Sequence, residues 1–153
     1  MTRADDPRAG DLFAFYGLLK QGAAGAPSHI DLEGVGTFLG PCWFAGAMYD
    51  LGDHPGVVTG DTLCEGMAYE LRDPRIVPEL DEFEDVYPDD PAGSLYRRIR
   101  IPLLRADGNP DGRTAWIYWY NQSIAGGRRI LDGCWPLAAG RNKPERIQGD
   151  AAL

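Results

Sequence analysis

The sequence is poor in the residues that build disulfide frameworks and metal sites. Its 153 residues include three cysteines and two histidines. Cys42, Cys64 and Cys134 are widely spaced and odd in number, and none belongs to a Cys-x-x-Cys pair. This pattern indicates neither a zinc site nor a disulfide framework, and it favours reduced thiols in a cytosolic protein. His29 and His54 have no partner at ligand spacing, so we assign neither a role.

Positive charge and long apolar runs are also scarce. Fifteen Lys and Arg residues stand against 23 Asp and Glu residues, which gives a formal net charge of −8. Such a surface repels phosphate backbones and anionic lipids, which argues against nucleic-acid and membrane partners. No segment approaches the ~18 consecutive apolar residues of a membrane span, and residues 1–7 lack the apolar run of a signal peptide. We therefore expect a cytoplasmic protein.

Several motifs of catalysis and cofactor binding are missing from the sequence. It contains neither a Gly-x-Gly-x-x-Gly fingerprint nor a P-loop, which makes a nucleotide cofactor unexpected. Ser28 and Ser94 lack the surroundings of a nucleophile elbow, so an acyl-serine mechanism has no support. The sequence thus predicts chemistry that needs neither a cofactor nor a metal.

The pattern of apolar residues predicts a single α+β domain, a small mixed β-barrel of about six strands with flanking helices. We expect residues 1–10 to be a disordered lead, residues 11–140 to form the domain, and residues 141–153 to be a loose tail. A helix is predicted to begin near Pro78 and to end between Asp85 and Pro88. The predicted strands span residues 12–16, 34–39, 43–51, 62–71, 96–104 and 113–120.

Glu84 is the first candidate for chemistry, because the helix pattern places it on an apolar stripe. It follows Leu80 by four residues and Val77 by seven, which is helical spacing. Burial and neighbouring negative charge would raise its pKa above the usual ~4.3, toward the range of a general acid or base. The alternative is a carboxylate that points to water or pairs with Arg97 or Arg98. The remaining helix carboxylates, Glu79, Asp81, Glu82 and Asp85, are expected to form a solvated acidic face.

Two further features are candidates for a binding site. A strand that runs into Gly17 exposes successive amide groups, and such a turn can hold a carboxylate, although most strand–glycine turns bind nothing. Alternation also places Trp116, Tyr118 and Tyr120 on one face of a strand. That face belongs either to the core of the barrel or, together with Tyr96, to a pocket wall with phenol donors.

Taken together, these segments resemble the gamma-glutamylcyclotransferase-like (AIG2-like) superfamily. Its entry motif is a strand that ends in Tyr-Gly-Ser/Thr-Leu, and its later motif is Leu-Asp-x-x-Glu followed by Tyr-x-Arg. The matching segments occur in the same order between residues 12 and 120. They are Tyr16-Gly17-Leu18-Leu19, Gly46–Leu51, Gly66–Leu71, Leu80-Asp81-Glu82-Phe83-Glu84, Tyr96-Arg97-Arg98 and Ala115–Tyr120.

The resemblance implies both a reaction and a set of site residues. Members of the superfamily cyclise gamma-glutamyl amides to 5-oxoproline and release an amine, without a cofactor. Glu84 matches the catalytic acid/base. The remaining matches are substrate-binding positions: the backbone of Tyr16, Gly17, Leu18 and Leu19, and the pocket tyrosines Tyr96 and Tyr118.

Three departures from the family pattern bear on activity. Leu18 replaces the usual Ser or Thr, and Asp85 stands where Gly is common. The segment 86–94 is also longer than in compact members. The alternative to an enzyme is therefore a non-catalytic member that binds a small metabolite or serves as an interaction module on the same fold.

Overall fold

The computed structural model describes residues 6–20, 27 and 29–136. Strands take up more of the described chain than helices do, and no helix within these ranges is long and apolar enough to cross a bilayer. Residues 1–5 of the predicted lead and the whole predicted tail, 141–153, lie outside the described residues. The strands are β1 (Leu12–Phe15), β2 (Gly36–Asp50), β3 (Pro55–Leu71), β4 (Tyr96–Leu104), β5 (Pro110–Tyr120) and β6 (Arg128–Arg129), and the α-helices are α1 (Leu32–Val35) and α2 (Val77–Phe83).

The six strands form one mixed sheet in the order β3-β1-β5-β4-β2-β6. A further pairing between β2 and β3 closes five of these strands into a ring, and β6 lies outside the ring on β2. The β1–β5 pair is parallel, whereas the other pairs are antiparallel. The predicted α+β fold with a mixed sheet is therefore confirmed.

One long hairpin replaces several of the predicted short strands. The predicted strands 34–39 and 43–51 are parts of the single 15-residue strand β2. Gly40 lies between the two predicted strands, and its φ of 102° coincides with a register shift between β2 and β3. A β-bulge with a glycine in the left-handed region bends a strand without ending it, so the ladder continues on both sides.

Alternation along the strands divides the core into two clusters. The first cluster takes residues from all five ring strands, among them Ala14, Phe44 and Ile117, and therefore fills the ring. The second joins the opposite face of β1 and β5 to the helices. Trp116 and Tyr118 belong to this second cluster, with Tyr120 packed against it. The three aromatic residues of β5 thus share one face of the strand, as predicted. That face packs against α2 and does not fill the ring.

Candidate active site

A small cavity of about 170 Å³ opens where five segments of the chain meet. The segments are the end of β1 with the turn after it, the β2–β3 turn, the end of α2, and the neighbouring parts of β4 and β5. All seven residues that the sequence singled out lie on its wall. They are Tyr16, Gly17, Leu18, Leu19, Glu84, Tyr96 and Tyr118.

Glu84 occupies the C-terminal end of α2, directly after its last helical residue. Its amide still donates to the carbonyl of Leu80, at 3.0 Å. The next two amides close the helix end, since Asp85 donates to Glu82 O (3.1 Å) and Val86 donates to Asp81 O (2.9 Å). This pair of bonds is the Schellman motif. It fixes the backbone of Glu84, whose side chain is half-buried and not largely buried as its stripe position suggested.

The helix end also explains why glycine suits the position after Glu84. Asp85 has a φ of 55°, and it is the one non-glycine residue in the described chain with positive φ. The Schellman motif requires a left-handed residue there, and glycine adopts that conformation without a Cβ clash. Asp tolerates it better than most residues. Its carbonyl accepts a bond from Leu95 N (2.9 Å), which ties the start of β4 to the helix end.

The turn after β1 presents backbone donors to the cavity wall. The amides of Gly17, Leu18 and Leu19 donate no hydrogen bond to another described residue. A glycine is needed at the first of these positions because a Cβ there would lie 2.9 Å from Pro55 Cγ. The turn therefore packs directly against the β2–β3 turn while its amides remain available to a ligand.

The hydroxyl groups of the three cavity tyrosines bind other parts of the protein. Tyr16 donates to Tyr118 O (2.7 Å) and accepts from Val57 N (3.2 Å). Tyr96 donates to Pro55 O, and Tyr118 donates to Asp81 Oδ1 at 2.7 Å. These bonds use the phenol protons, so the tyrosines contribute mainly their rings to the wall.

Electrostatics keeps these phenols protonated. The pKa of Tyr16 is raised well above its usual value by burial and then by the negative charge of Glu84. Burial likewise raises the pKa of Tyr96, followed by the nearby Tyr16 and Glu84. For Tyr118, burial comes first and the charge of Asp81 second. Glu84 contributes to all three shifts, which places its charge within electrostatic reach of the three rings.

Asp81 is buried, contrary to its predicted place on a solvated acidic face. It is 8% exposed. Arg98 holds it with two bonds of 3.0 Å, and Tyr118 adds a third. Of the two arginines considered as partners for Glu84, Arg98 is thus committed to Asp81. The prediction failed because it treated carboxylates beside the stripe as solvent-facing, whereas an arginine from β4 reaches the helix.

Sequence patterns alone assign no role to the β2–β3 turn, yet this turn forms one wall of the cavity. Asp53, His54 and Pro55 all line it. The described lining residues include the carboxylates of Asp53, Glu84 and Asp85, and no Lys or Arg. Within the described ranges no group of three or more potential ligands could hold a metal ion. The available chemistry is therefore that of carboxylates, one imidazole and backbone amides.

Comparison with known proteins identifies the family. The family model described as gamma-glutamyl cyclotransferase, AIG2-like matches residues 13–137. The chain belongs to this family. A protein of Vibrio cholerae serotype O1 named "Putative gamma-glutamylcyclotransferase" is 37% identical over 89 residues, which cover 58% of this chain and 65% of that protein.

Solved structures of similar proteins share the fold of this chain. An AIG2-like protein from Mus musculus has a TM-score of 0.62 at 18% identity, covering 91% of this chain and 99% of that one. An uncharacterized protein from Pyrococcus horikoshii gives 0.59 at 24% identity, with 81% and 88% covered. The protein ytfP from Escherichia coli gives 0.55 at 28% identity, with 81% and 95% covered.

Proposed function

We propose that this protein is a gamma-glutamyl cyclotransferase that releases 5-oxoproline and an amine from a gamma-glutamyl amine or peptide, with Glu84 as general acid and base. The observation that carries the proposal is the shared cavity. The half-buried carboxylate of Glu84 and the amide-bearing turn of Gly17, Leu18 and Leu19 line the same small space. Membership of the family supports the reaction class.

The cavity suits the glutamyl end of such a substrate. At about 170 Å³ it is smaller than the ~300–1,000 Å³ typical of sites for drug-sized ligands, so an amino-acid-sized group fits it best. That group carries one α-carboxylate and one α-ammonium. The turn amides can bind the carboxylate as converging partial positive charges. The acidic lining residues attract the ammonium.

In the proposed reaction, Glu84 first removes a proton from the α-ammonium. The free amine attacks the γ-carbonyl carbon, a new C–N bond forms, and the carbonyl electron pair moves onto oxygen. The original C–N bond then breaks as that pair returns, and Glu84 gives its proton to the leaving nitrogen. Glu84 next takes the second proton from the ring nitrogen and passes it to solvent. The products are a five-membered lactam and an amine.

Two physical effects lower the barrier without a cofactor. The attack is intramolecular, so a site that holds the glutamyl chain folded removes much of the entropic cost. Backbone amides aimed at the carbonyl oxygen would also stabilise the negative charge that develops there. An amide of the Gly17–Leu19 turn that does not bind the α-carboxylate is the candidate, because this turn lines the same cavity as Glu84.

The test is turnover of a panel of gamma-glutamyl amines and dipeptides, with 5-oxoproline detected by mass spectrometry. Glu84→Gln keeps the shape of the side chain but cannot carry a proton, so we expect a loss of about 10²–10⁴-fold. Glu82→Gln is the matched control, because Glu82 is exposed on the same helix. Tyr96→Phe should lose less than Glu84→Gln, since the ring stays in the wall and only one hydroxyl is removed.

The outcomes separate the alternatives. A Glu84→Gln variant that turns over substrate at the wild-type rate would show that the assigned mechanism is wrong. If no member of a broad panel reacts while a small acid binds tightly, the protein is a binding module on this fold.

A further inference from the structure

The turn between β2 and β3 places an imidazole–carboxylate pair on the cavity wall. His54 Nδ1 lies 2.5 Å from Asp53 Oδ1. A carboxylate can only accept a hydrogen bond, so Nδ1 carries the proton and donates it to Asp53. In the neutral ring the other nitrogen, Nε2, is then an acceptor. Through this bond Asp53 leaves Nε2 as an acceptor, so the imidazole can bind a hydrogen-bond donor.

Nε2 of His54 has no partner of its own. The atom is buried and makes no hydrogen bond to any residue within the described ranges. Buried polar atoms in native proteins nearly always have a partner, supplied by protein, water or ligand. The His54 side chain as a whole is 25% exposed and lines the cavity, so a molecule bound there lies beside the ring, and a small rotation of the ring is required to bring the buried Nε2 to it.

The position of His54 is fixed by its neighbours. The hydroxyl of Tyr96 donates to the carbonyl of Pro55, the next residue. The rings of His54 and Tyr96 meet edge to face, with centroids 6.3 Å apart. Pro55 also packs against Gly17, where there is no room for a Cβ. The imidazole is therefore held beside the Gly17–Leu19 turn, which lines the same cavity.

We propose that His54 determines specificity, with Nε2 accepting a hydrogen bond from the N–H of the amide that is cleaved. The assignment rests on the proposed function. A gamma-glutamyl alkylamide has two donor groups, its α-ammonium and this N–H. Because Glu84 takes the ammonium, the amide N–H is the donor left for His54. Asp53 acts through the ring as a positioning residue.

A pair of substrates that differ in this one group tests the contact. Gamma-glutamyl ethylamide carries the N–H, whereas the γ-ethyl ester of glutamate has an oxygen in its place. His54→Phe keeps an aromatic ring against Tyr96 but removes the acceptor. We expect kcat/KM for the amide to fall about 10- to 100-fold, and that for the ester to change less than about threefold, because a site built around a hydrogen bond discriminates by that bond.

Matched variants separate a lost contact from general damage. His29→Phe makes the same substitution at the other histidine, which is exposed outside the cavity, and should leave both substrates unchanged. His54→Gln supplies another acceptor and should keep part of the preference for the amide. Equal losses for amide and ester, or no loss for either, would overturn the proposal. If His54→Phe does not fold, His54→Met makes the same comparison.

A binding measurement keeps this test independent of turnover. Calorimetric titration with both compounds compares Glu84→Gln with the double variant Glu84→Gln/His54→Phe. The added His54→Phe substitution should weaken binding of the amide and leave binding of the ester unchanged. If the chain catalyses nothing, the same titration still reports the contact, so failure of the reaction and failure of the His54 assignment are distinguishable. Equal affinities of the two proteins for the amide would refute the assignment.

Discussion

Replacing Arg98 by Met would leave the carboxylate of Asp81 without its cation in a position that water barely reaches. The two side chains are 17% and 11% exposed, and two bonds of 3.0 Å join them. Exposed ion pairs contribute about 0–1 kcal/mol, whereas breaking a fully buried pair costs about 3–5 kcal/mol. The remaining bond from Tyr118 offsets part of the loss. We therefore expect a loss of about 2–3 kcal/mol.

Urea and thermal unfolding, followed by tryptophan fluorescence, measure this loss. For a chain of this size it corresponds to a decrease in Tm of about 5–10 °C. Adding Asp81→Asn to Arg98→Met removes the stranded charge, so the double variant should be no less stable than Arg98→Met alone. The coupling energy in the double-mutant cycle should then be about 2 kcal/mol.

A second arginine in the chain provides the control. Arg75 binds Asp73 through the same two-bond geometry, at 3.0 and 2.9 Å, but its side chain is 90% exposed. Arg75→Met should leave the unfolding midpoint close to that of wild type, because solvent replaces the lost bonds. If Arg98→Met costs no more than Arg75→Met, burial of the Asp81 pair is not what stabilises the end of α2.

Two further predictions concern stability. Asp85→Gly should raise the free energy of unfolding by about 0.5–1 kcal/mol in urea titration, because the relief of a left-handed φ exceeds the entropic cost of the more flexible glycine. Asp85→Val should lower the free energy of unfolding. A gain in stability with Val would show that the backbone at residue 85 is not strained. Burial raises the pKa of the Cys42 thiol from 9.0 to about 12 and that of Cys64 to about 11. Between about pH 9 and 12 the folded state therefore keeps thiol protons that the unfolded chain loses. The free energy of unfolding should be unaffected by these thiols below pH 9 and should decrease between about pH 9 and 12. Cys42→Ala should make this decrease smaller.

Local pattern was sufficient for β4 and for placing Glu84 at the end of α2, but it divided the continuous strand β2 into two. Alternation predicted β4 with its observed bounds, Tyr96–Leu104, and helical spacing from Leu80 brought Glu84 to the end of α2. The entry motif added the turn at Gly17. These signals succeed because they depend on residues close in sequence, where strand and helix periods apply.

The partners that complete the site depend on closure of the sheet. Asp81 and Arg98 are 17 residues apart, and Pro55 lies 41 residues from the Tyr96 hydroxyl that holds it. No local pattern reports such contacts. His54 in particular reads as an ordinary turn residue until the β2–β3 hairpin packs over Gly17. A role for a polar residue such as His54 can therefore be assigned only once the tertiary structure is known.

The bonds at the end of α2 also have a consequence for how this family can diversify. Val86 N is held by Asp81 O, and Leu95 N is held by Asp85 O. The chain between these two residues thus begins and ends at points fixed beside Glu84, whatever its length. Loops of different length and composition can be exchanged there, while the backbone that carries Glu84 stays in place. In engineering terms, residues 87–94 form a replaceable segment on a constant backbone frame.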